Sequence, residues 1–265
     1  MYIFNKDRIE KVTDFSLIDF NNSSENLVFI RSSRGGVFRL KDLSHALHPG
    51  LKIKINGTGN LVYLQEPIYF KESLLHINSS HNIIAFGPTK RLVMLNVCIT
   101  DGDHQCLRIG KNFSCGRTKI LMHEEYVPVT IGEDCMFSAD VVMMNSDCHC
   151  ISTTESNTIC SNFARGIKIG NHVWVGRGAA IFKNAGMADG SILGAYSVLS
   201  KNFTETNIAL AGNPAKIVKT NISWDRMSVT KFIRENFEGL STERFQVAHR
   251  NFETTKENLI QSIMQ

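Results

Sequence analysis

The sequence predicts an all-β protein, a parallel solenoid of three-sided coils, on two observations. From Ile169 onward an aliphatic residue returns at every sixth position: Ile169, Val175, Ile181, Met187, Leu193 and Leu199. The position after it is mostly small (Gly170, Gly176, Ala188, Gly194, Ser200), with Phe182 the exception, and four places after it stand Val173, Ala179, Ala185, Ser191, Ser197 and Phe203. A period of six matches neither the 3.6 of a helix nor the 2 of a free amphipathic strand. It suits a repeat of one short strand plus one turn, in which three units close a coil and the aliphatic residue points inward. Small residues then stand where backbones approach closely. Each coil pairs with the next as parallel sheet, so no coil is stable alone.

The elements follow in chain order. Residues 1–49 carry few signals and are expected to form an N-terminal cap or irregular strands that blunt the edge of the first coil. From residue 50 the segments LKIKI, NLVYL, LLHI, NIIAF, LVML, CLRIG and VPVTIG read as short strands, separated by turn pairs such as Asn56-Gly57 and Gly87-Pro88. The six-residue register then shows in IGEDCM-FSADVV-MMNSDC, led by Ile131, Phe137 and Met143. The β-helix is thus expected over 50–222. Its period fails between Cys148 and Ile169, where HCISTTESNTICSNFARGIK is two residues longer than a regular coil and rich in Ser, Thr and Asn. This predicts a loop over 149–168, and loops on rigid scaffolds are where function concentrates. The period stops near Gly212 to Lys216. Beyond it, 223–265 is polar with spaced Trp224, Met227, Phe232, Ile233 and Phe237, which predicts an amphipathic helix from about Ser223 to Phe237 and a C-terminal helical cap.

Composition narrows the function classes. A net charge of +4 over 265 residues, without a dense Lys/Arg block, disfavours a nucleic-acid partner. The opening MYIFNKDRIEKVTDFSLIDF places Asp and Glu where a signal peptide or membrane span would be apolar, so no membrane-spanning segment and a cytoplasmic location are expected. Seven cysteines, an odd number without a CxxC pair, read as reduced thiols.

The stretch MMNSDCHCI, Met143 to Ile151, concentrates chemistry. A metal site would need ligands converging from elsewhere, because neighbours in an extended chain point to opposite faces, and none is expected. A redox pair would need a lowered thiol pKa, and no helix start follows to supply it. A general base suits His149, since imidazole titrates close to operating pH. Asp147, two residues earlier, either orients that imidazole or caps the turn after Met144.

Four motifs in order, SDCHCI, IKIGNHVWVGRGAAI, ILGAYSVLSKNF and LAGNPAKIVK, resemble the hexapeptide-repeat acetyltransferases. The resemblance is strongest over about residues 100 to 226, within the branch of galactoside, xenobiotic and capsular-polysaccharide O-acetyltransferases. It implies a left-handed β-helix, a homotrimer, and acetyl-CoA as cosubstrate in a groove between neighbouring subunits. It also implies that His149, the histidine of the S-D-x-H-x-I motif, is the catalytic base. Trp174 matches a tryptophan that lines the active site in related enzymes, where it would hold the pantetheine arm or the acceptor ring; the alternative is an outward packing residue. His172 is a second candidate base on an ordinary turn. For acetyl-CoA the resemblance implies backbone contributions from Gly176, Arg177, Ala195, Ser200 and Gly212. Lys201, Lys216 and Lys219 would then meet the nucleotide phosphates or else remain solvated.

The expected acceptor is a hydroxyl of a capsular or lipopolysaccharide glycan, a sialic-acid-containing one among the possibilities. Arg108, Lys111, Arg117, Lys119, Arg165 and Lys168 would steer an anionic polymer if they share a face. The alternatives are a small acceptor, such as a simple sugar or an antibiotic, and a non-catalytic β-helix binding module.

Overall fold

Strands as short as two residues hold only because each is hydrogen-bonded above and below, and the chain stacks them in three walls. The computed structural model describes residues 9–13, 24–40, 50–155, 161–235 and 250–256. The chain divides into two units, Met1–Ser223 and Trp224–Gln265.

In the first unit the chain visits the walls in a fixed order. Wall one is the sheet containing Leu61–Gln65, Ile83–Phe86, Cys106–Ile109, Pro128–Ile131, Ile167–Ile169, Gly186–Met187 and Asn202–Phe203. Wall two contains Ile68–Lys71, Thr89–Val93, Ser114–Cys115, Met136–Phe137, Trp174–Val175, Ile192–Leu193 and Ala209–Ala211. Wall three contains Leu51–Ile55, Ser73–Ile77, Leu95–Ile99, Thr118–Met122, Val141–Met144, Ala180–Ile181 and Val198–Leu199. All these strands pair in parallel, each with the strand one coil away.

The register explains why the period is visible in only part of the sequence. On wall three, Ile53, Leu75, Val97, Ile120, Met143, Ile181 and Leu199 form one inward row, coil upon coil. Ile181 to Leu199 is a step of 18 residues, three times six, whereas the earlier steps from Ile53 to Met143 are 22 or 23. The longer coils carry wall-three strands of four or five residues in place of two, such as Thr118–Met122. Their side chains still alternate inward and outward.

The inward residues form one core. Ile169, Val175, Ile181, Met187, Leu193 and Leu199 are all buried within it, and Phe203 packs against its end. Each fully buried Leu or Ile contributes about 1.5–3 kcal/mol. The small residues between them, Val173, Ala179, Ala185, Ser191 and Ser197, are buried as well. Where corners stack there is room only for glycine: a Cβ on Gly132 would stand 2.4 Å from the Gly170 carbonyl oxygen.

At the N-terminal side, Leu27–Arg31 adds a parallel strand beside Leu61–Gln65 and pairs antiparallel with Val37–Leu40, which pairs in turn with Ile9–Val12. Val28 and Ile30 enter the main core, while Leu27 and Phe29 face a second cluster with Val37. Both faces of this strand are covered, which is why LVFI is buried without alternation.

A buried amide ladder runs along the corner between walls three and one. The Asn26 carboxamide oxygen accepts from the backbone N–H and the side chain of Asn60, both at 3.0 Å. Asn60 Oδ1 accepts from the backbone and side chain of Asn82, at 3.0 and 2.8 Å. Asn82 Oδ1 then accepts from the Gln105 N–H at 2.8 Å, and Gln105 Oε1 accepts from Asn145 Nδ2 at 3.0 Å. These side chains satisfy turn amides that lie too deep for water.

In the second unit a helix spans Val229–Glu235 and another spans 250–256. The first begins later than its sequence spacing suggests because Ser228 is the cap, its hydroxyl accepting from the Lys231 N–H at 3.2 Å. The expected end at Phe237 lies outside the described residues. Among the described residues no helix is long and apolar enough to cross a membrane.

The ladder yields a prediction. Asn82→Ala removes the acceptor of the Gln105 N–H, so urea denaturation is expected to show a loss of about 1–3 kcal/mol. Unchanged stability would show that the turn amides find other partners.

Candidate active site

The loop predicted at 149–168 leaves the corner where the amide ladder ends. Val142 pairs with Ala180, 38 residues on, so about one extra coil of chain is extruded between the last strand of long-coil wall three and Ile167–Ile169. Asn145 is buried at its base and accepts from the His123 N–H at 2.7 Å. The chain then turns through Cys148, whose φ of 63° is left-handed and whose N–H donates to Ser146 Oγ at 3.0 Å.

Two sets of contacts pin the loop. Glu124 binds both limbs: one oxygen accepts from Ser146 Oγ and the other from the Ala164 N–H at 3.0 Å. Asn162 crosses between the limbs. Its Nδ2 donates to Asp147 Oδ2 and to the His149 carbonyl, each at 2.9 Å, and its Oδ1 accepts from the Ile151 N–H at 2.8 Å. Lys183, from the next coil, lies 2.5 Å from Asp147 Oδ2 and also donates to the Asn162 carbonyl. His149 is exposed on this pinned segment.

The surroundings of the two residues before His149 follow from these contacts. The Lys183 ammonium, and after it Asn162, hold the Asp147 carboxyl below its ordinary range. The Asp147 carboxylate thus meets Lys183 and Asn162, contacts that hold the two limbs of the loop together. The Cys148 thiol is pushed up, first by partial burial and then by Asp101, Asp147 and Glu124. A thiolate there is disfavoured, which argues against a reactive Cys148. Among the described residues no group of three or more His, Cys, Asp or Glu converges in a way that would hold a metal.

The other residues singled out from sequence lie elsewhere in the chain. Trp174 stands on wall two between Met136 and Ile192, with its Nε1 3.3 Å from Ser138 Oγ. Wall two is opposite the corner that carries His149, so one chain does not bring the two together. Gly176, Arg177 and Ala195 lie where the chain leaves wall two; a Cβ on Gly176 would stand 2.5 Å from the Ala195 nitrogen. Gly212 follows Ala209–Ala211 and donates its N–H to Ser197 Oγ at 3.0 Å. Lys216 and Lys219 lie on the strand that closes wall two in antiparallel fashion. Ser200 and Lys201 instead occupy the corner between walls three and one, the His149 corner, in later coils. His172 takes a φ of 51° at a third corner and lies with its Nδ1 2.7 Å from Asp134 Oδ2.

The six cations considered for steering do not share a face. Arg108 and Lys168 point out from wall one with Thr130 between them, and Lys119 is on wall three. Lys111 pairs with Glu133 at 2.9 Å and Arg117 with Asp140 at 2.5 Å. Sequence reasoning also missed Glu124, Asn145, Asn162 and Lys183. Only the ladder left a trace, amides at 60, 82 and 105 in coil-length steps.

The comparisons with known proteins bear on this arrangement. Over 175 residues the chain is 33% identical to a polysialic acid O-acetyltransferase of Neisseria meningitidis, covering 66% of this chain and 80% of the relative. The chain belongs to the hexapeptide-repeat acetyltransferases. The three-walled parallel stack is the all-β solenoid expected from the sequence. A polysialic acid O-acetyltransferase of Escherichia coli O1:K1 / APEC is 37% identical over 108 residues, 41% of this chain but 34% of the relative, so the match spans about a third of that protein. A putative acetyltransferase of Dictyostelium discoideum is 31% identical over 134 residues, 51% of this chain and 68% of its own length. Among solved structures, a polySia-specific acetyltransferase aligns with a TM-score of 0.47 at 28% identity, covering 70% of this chain and 87% of the other. No family model matches the chain.

The Asp147–Lys183 pair makes a prediction with a defined sign. A depressed folded pKa means that the pair's stabilisation is complete above the unfolded aspartate value of about 3.9 and is lost as pH falls through the lower folded value. The Asp147 side chain is 42% exposed, so screening holds the effect below about 1 kcal/mol. Asp147→Ala is therefore expected to leave global stability nearly unchanged while speeding cleavage within 150–165. With pepsin, wild type and variant should converge only below the ordinary aspartate range. Equal cleavage at all pH values would show that the pair does not hold the loop.

Proposed function

We propose that the chain is an acetyl-CoA-dependent O-acetyltransferase acting on a hydroxyl of a surface glycan, with His149 as general base. The observation that carries this reading is an exposed imidazole on a loop pinned by Glu124, Asn162 and the Asp147–Lys183 pair. A rigid anchor and an accessible ring are what proton transfer to an incoming substrate requires.

The reaction follows from those parts. The acceptor hydroxyl attacks the thioester carbonyl carbon as His149 takes its proton. The tetrahedral intermediate collapses, the carbon–sulfur bond breaks, and the departing thiolate receives the proton from the imidazolium. Acetyl ester and CoA leave; no covalent enzyme intermediate forms. Asp147 acts as an anchor that keeps the backbone at His149 in place.

A homotrimer completes the site in this reading. The outward side of wall three carries Leu121, Val142, Met144, Ala180 and Val198, none of them fully exposed in the single chain, a flat apolar strip suited to contact with further copies. The His149 corner of one protomer then meets the wall of its neighbour that carries Trp174, Gly176, Arg177, Ala195 and Gly212, and acetyl-CoA lies between, with Lys216 and Lys219 near its phosphates. Ser200 and Lys201 contribute from the His149 side. A glycan acceptor is supported by the polysialic acid O-acetyltransferases and by a galactoside O-acetyltransferase of Escherichia coli, 26% identical over 113 residues.

Two experiments test the reading. His149→Ala should reduce thiol release with purified capsular glycans by about 10²–10⁴-fold while acetyl-CoA binding by calorimetry is retained; full activity in this variant would refute the base assignment. Val142→Glu should convert the trimer to monomer in light scattering and abolish activity with it. A monomeric wild-type enzyme that is fully active would remove the shared cleft.

A further inference from the structure

Three exposed rings stand in a column on the same corner as His149. The rings of His81 and His104 stack with centroids 5.1 Å apart and planes 15° apart; those of His104 and Tyr126 stack at 5.0 Å and 15°. All three residues are left-handed, with φ of 58°, 59° and 61°. Consecutive turns are tied by the His104 N–H to the Ser80 carbonyl at 3.1 Å and the Tyr126 N–H to the Asp103 carbonyl at 3.3 Å. The residue after each histidine, Asn82 and Gln105, belongs to the buried amide ladder. The outer column is thus preorganised by the inner one.

The column has a direction. One ring is supplied per coil, and the coil after Tyr126 is the one from which the His149 loop departs at this corner. Tyr126 is 68% exposed and stacks on His104 with one face. Its other face is turned towards the coil of His149. Each ring carries polar atoms, the imidazole nitrogens of His81 and His104 and the phenol oxygen of Tyr126, one set per coil.

Charge selects the ligand. The turns 78–82, 100–105 and 123–127 contain Asp101, Asp103, Glu124 and Glu125 and no Lys or Arg. In the next coil the exposed cation at this corner is Arg165, on the returning limb of the His149 loop, and Lys183, one coil further, is already paired with Asp147. A polyanionic chain would be repelled along this edge. A chain of uncharged sugars would donate hydroxyl hydrogens to the carboxylates and imidazoles and lay a C–H face on Tyr126.

We infer that the His81–His104–Tyr126 column is an acceptor track for an extended, uncharged stretch of glycan, holding the sugars that precede the one whose hydroxyl meets His149. This rests on the acetyltransferase reading for the role of His149, but binding to the track can be measured without turnover.

The test is the triple variant His81→Asn, His104→Asn, Tyr126→Asn, because asparagine tolerates positive φ and should keep the turns intact. Its thermal midpoint and circular dichroism serve as the folding control. Fluorescently labelled oligosaccharides of matched length, prepared from a neutral galactan, from dextran and from polysialic acid, are titrated into full-length wild type, the triple variant and His149→Ala. The expected result is at least tenfold weaker binding of an uncharged oligomer by the triple variant, with His149→Ala binding it as wild type does. Indistinguishable wild type and triple variant on every probe, absence of binding included, would overturn the track. Loss confined to polysialic acid would overturn its assignment to uncharged sugars. Column-dependent binding without acetyl transfer by wild type would instead sink the acetyltransferase reading and leave the track standing.

Discussion

Parallel stacking of each coil on the last is the constraint on which the remainder depends. A two-residue strand such as Trp174–Val175 has no stability of its own, and it persists because Met136–Phe137 and Ile192–Leu193 bind it from both sides. Stacking forces equivalent positions into columns. A column must be uniformly apolar inside, as in Leu75, Val97, Ile120 and Met143, or uniformly small where backbones meet, as at Gly132 over Gly170. A column of polar side chains survives burial only if each member satisfies the next, as the amides from Asn26 to Asn145 do.

The same constraint positions the chemistry. The corner between walls three and one is stiffened from within by amides, and the loop that carries His149 departs from the top of that ladder at Asn145. The loop is then fastened sideways, by Glu124 one coil before and Lys183 one coil after. An excursion of about one coil's length is thereby anchored on both sides of its histidine. Cys148, by contrast, lies among carboxylates that oppose its ionisation.

The walls also separate the residues of the proposed site. His149 and Trp174 stand on opposite sides of one chain, and the proposed function therefore draws them from different copies. The charge distribution follows the same division. Acidic turns line the edge before His149, whereas Lys216 and Lys219 close wall two at the far end of the solenoid.

The sequence by itself determined the solenoid from Ile169 on, because coils of 18 residues repeat every inward position at a strict period of six. It also marked the loop, where that period breaks, and the histidine within it. It left the earlier coils faint, since strands of four or five residues stretch the coil to 22 or 23 and the six-residue beat disappears although the inward column is unbroken. Only the tertiary structure decided what holds the loop. Coil stacking brings Glu124 to Ala164 across 40 residues and Lys183 to Asp147, while Asn162 reaches the His149 carbonyl within the loop, 13 residues on, and no local pattern encodes such contacts. The assignment of Asp147 to Lys183 and the column of His81, His104 and Tyr126 were hidden for the same reason: both arise from register between coils, which is set by hydrogen bonds along the solenoid and not by neighbours along the chain.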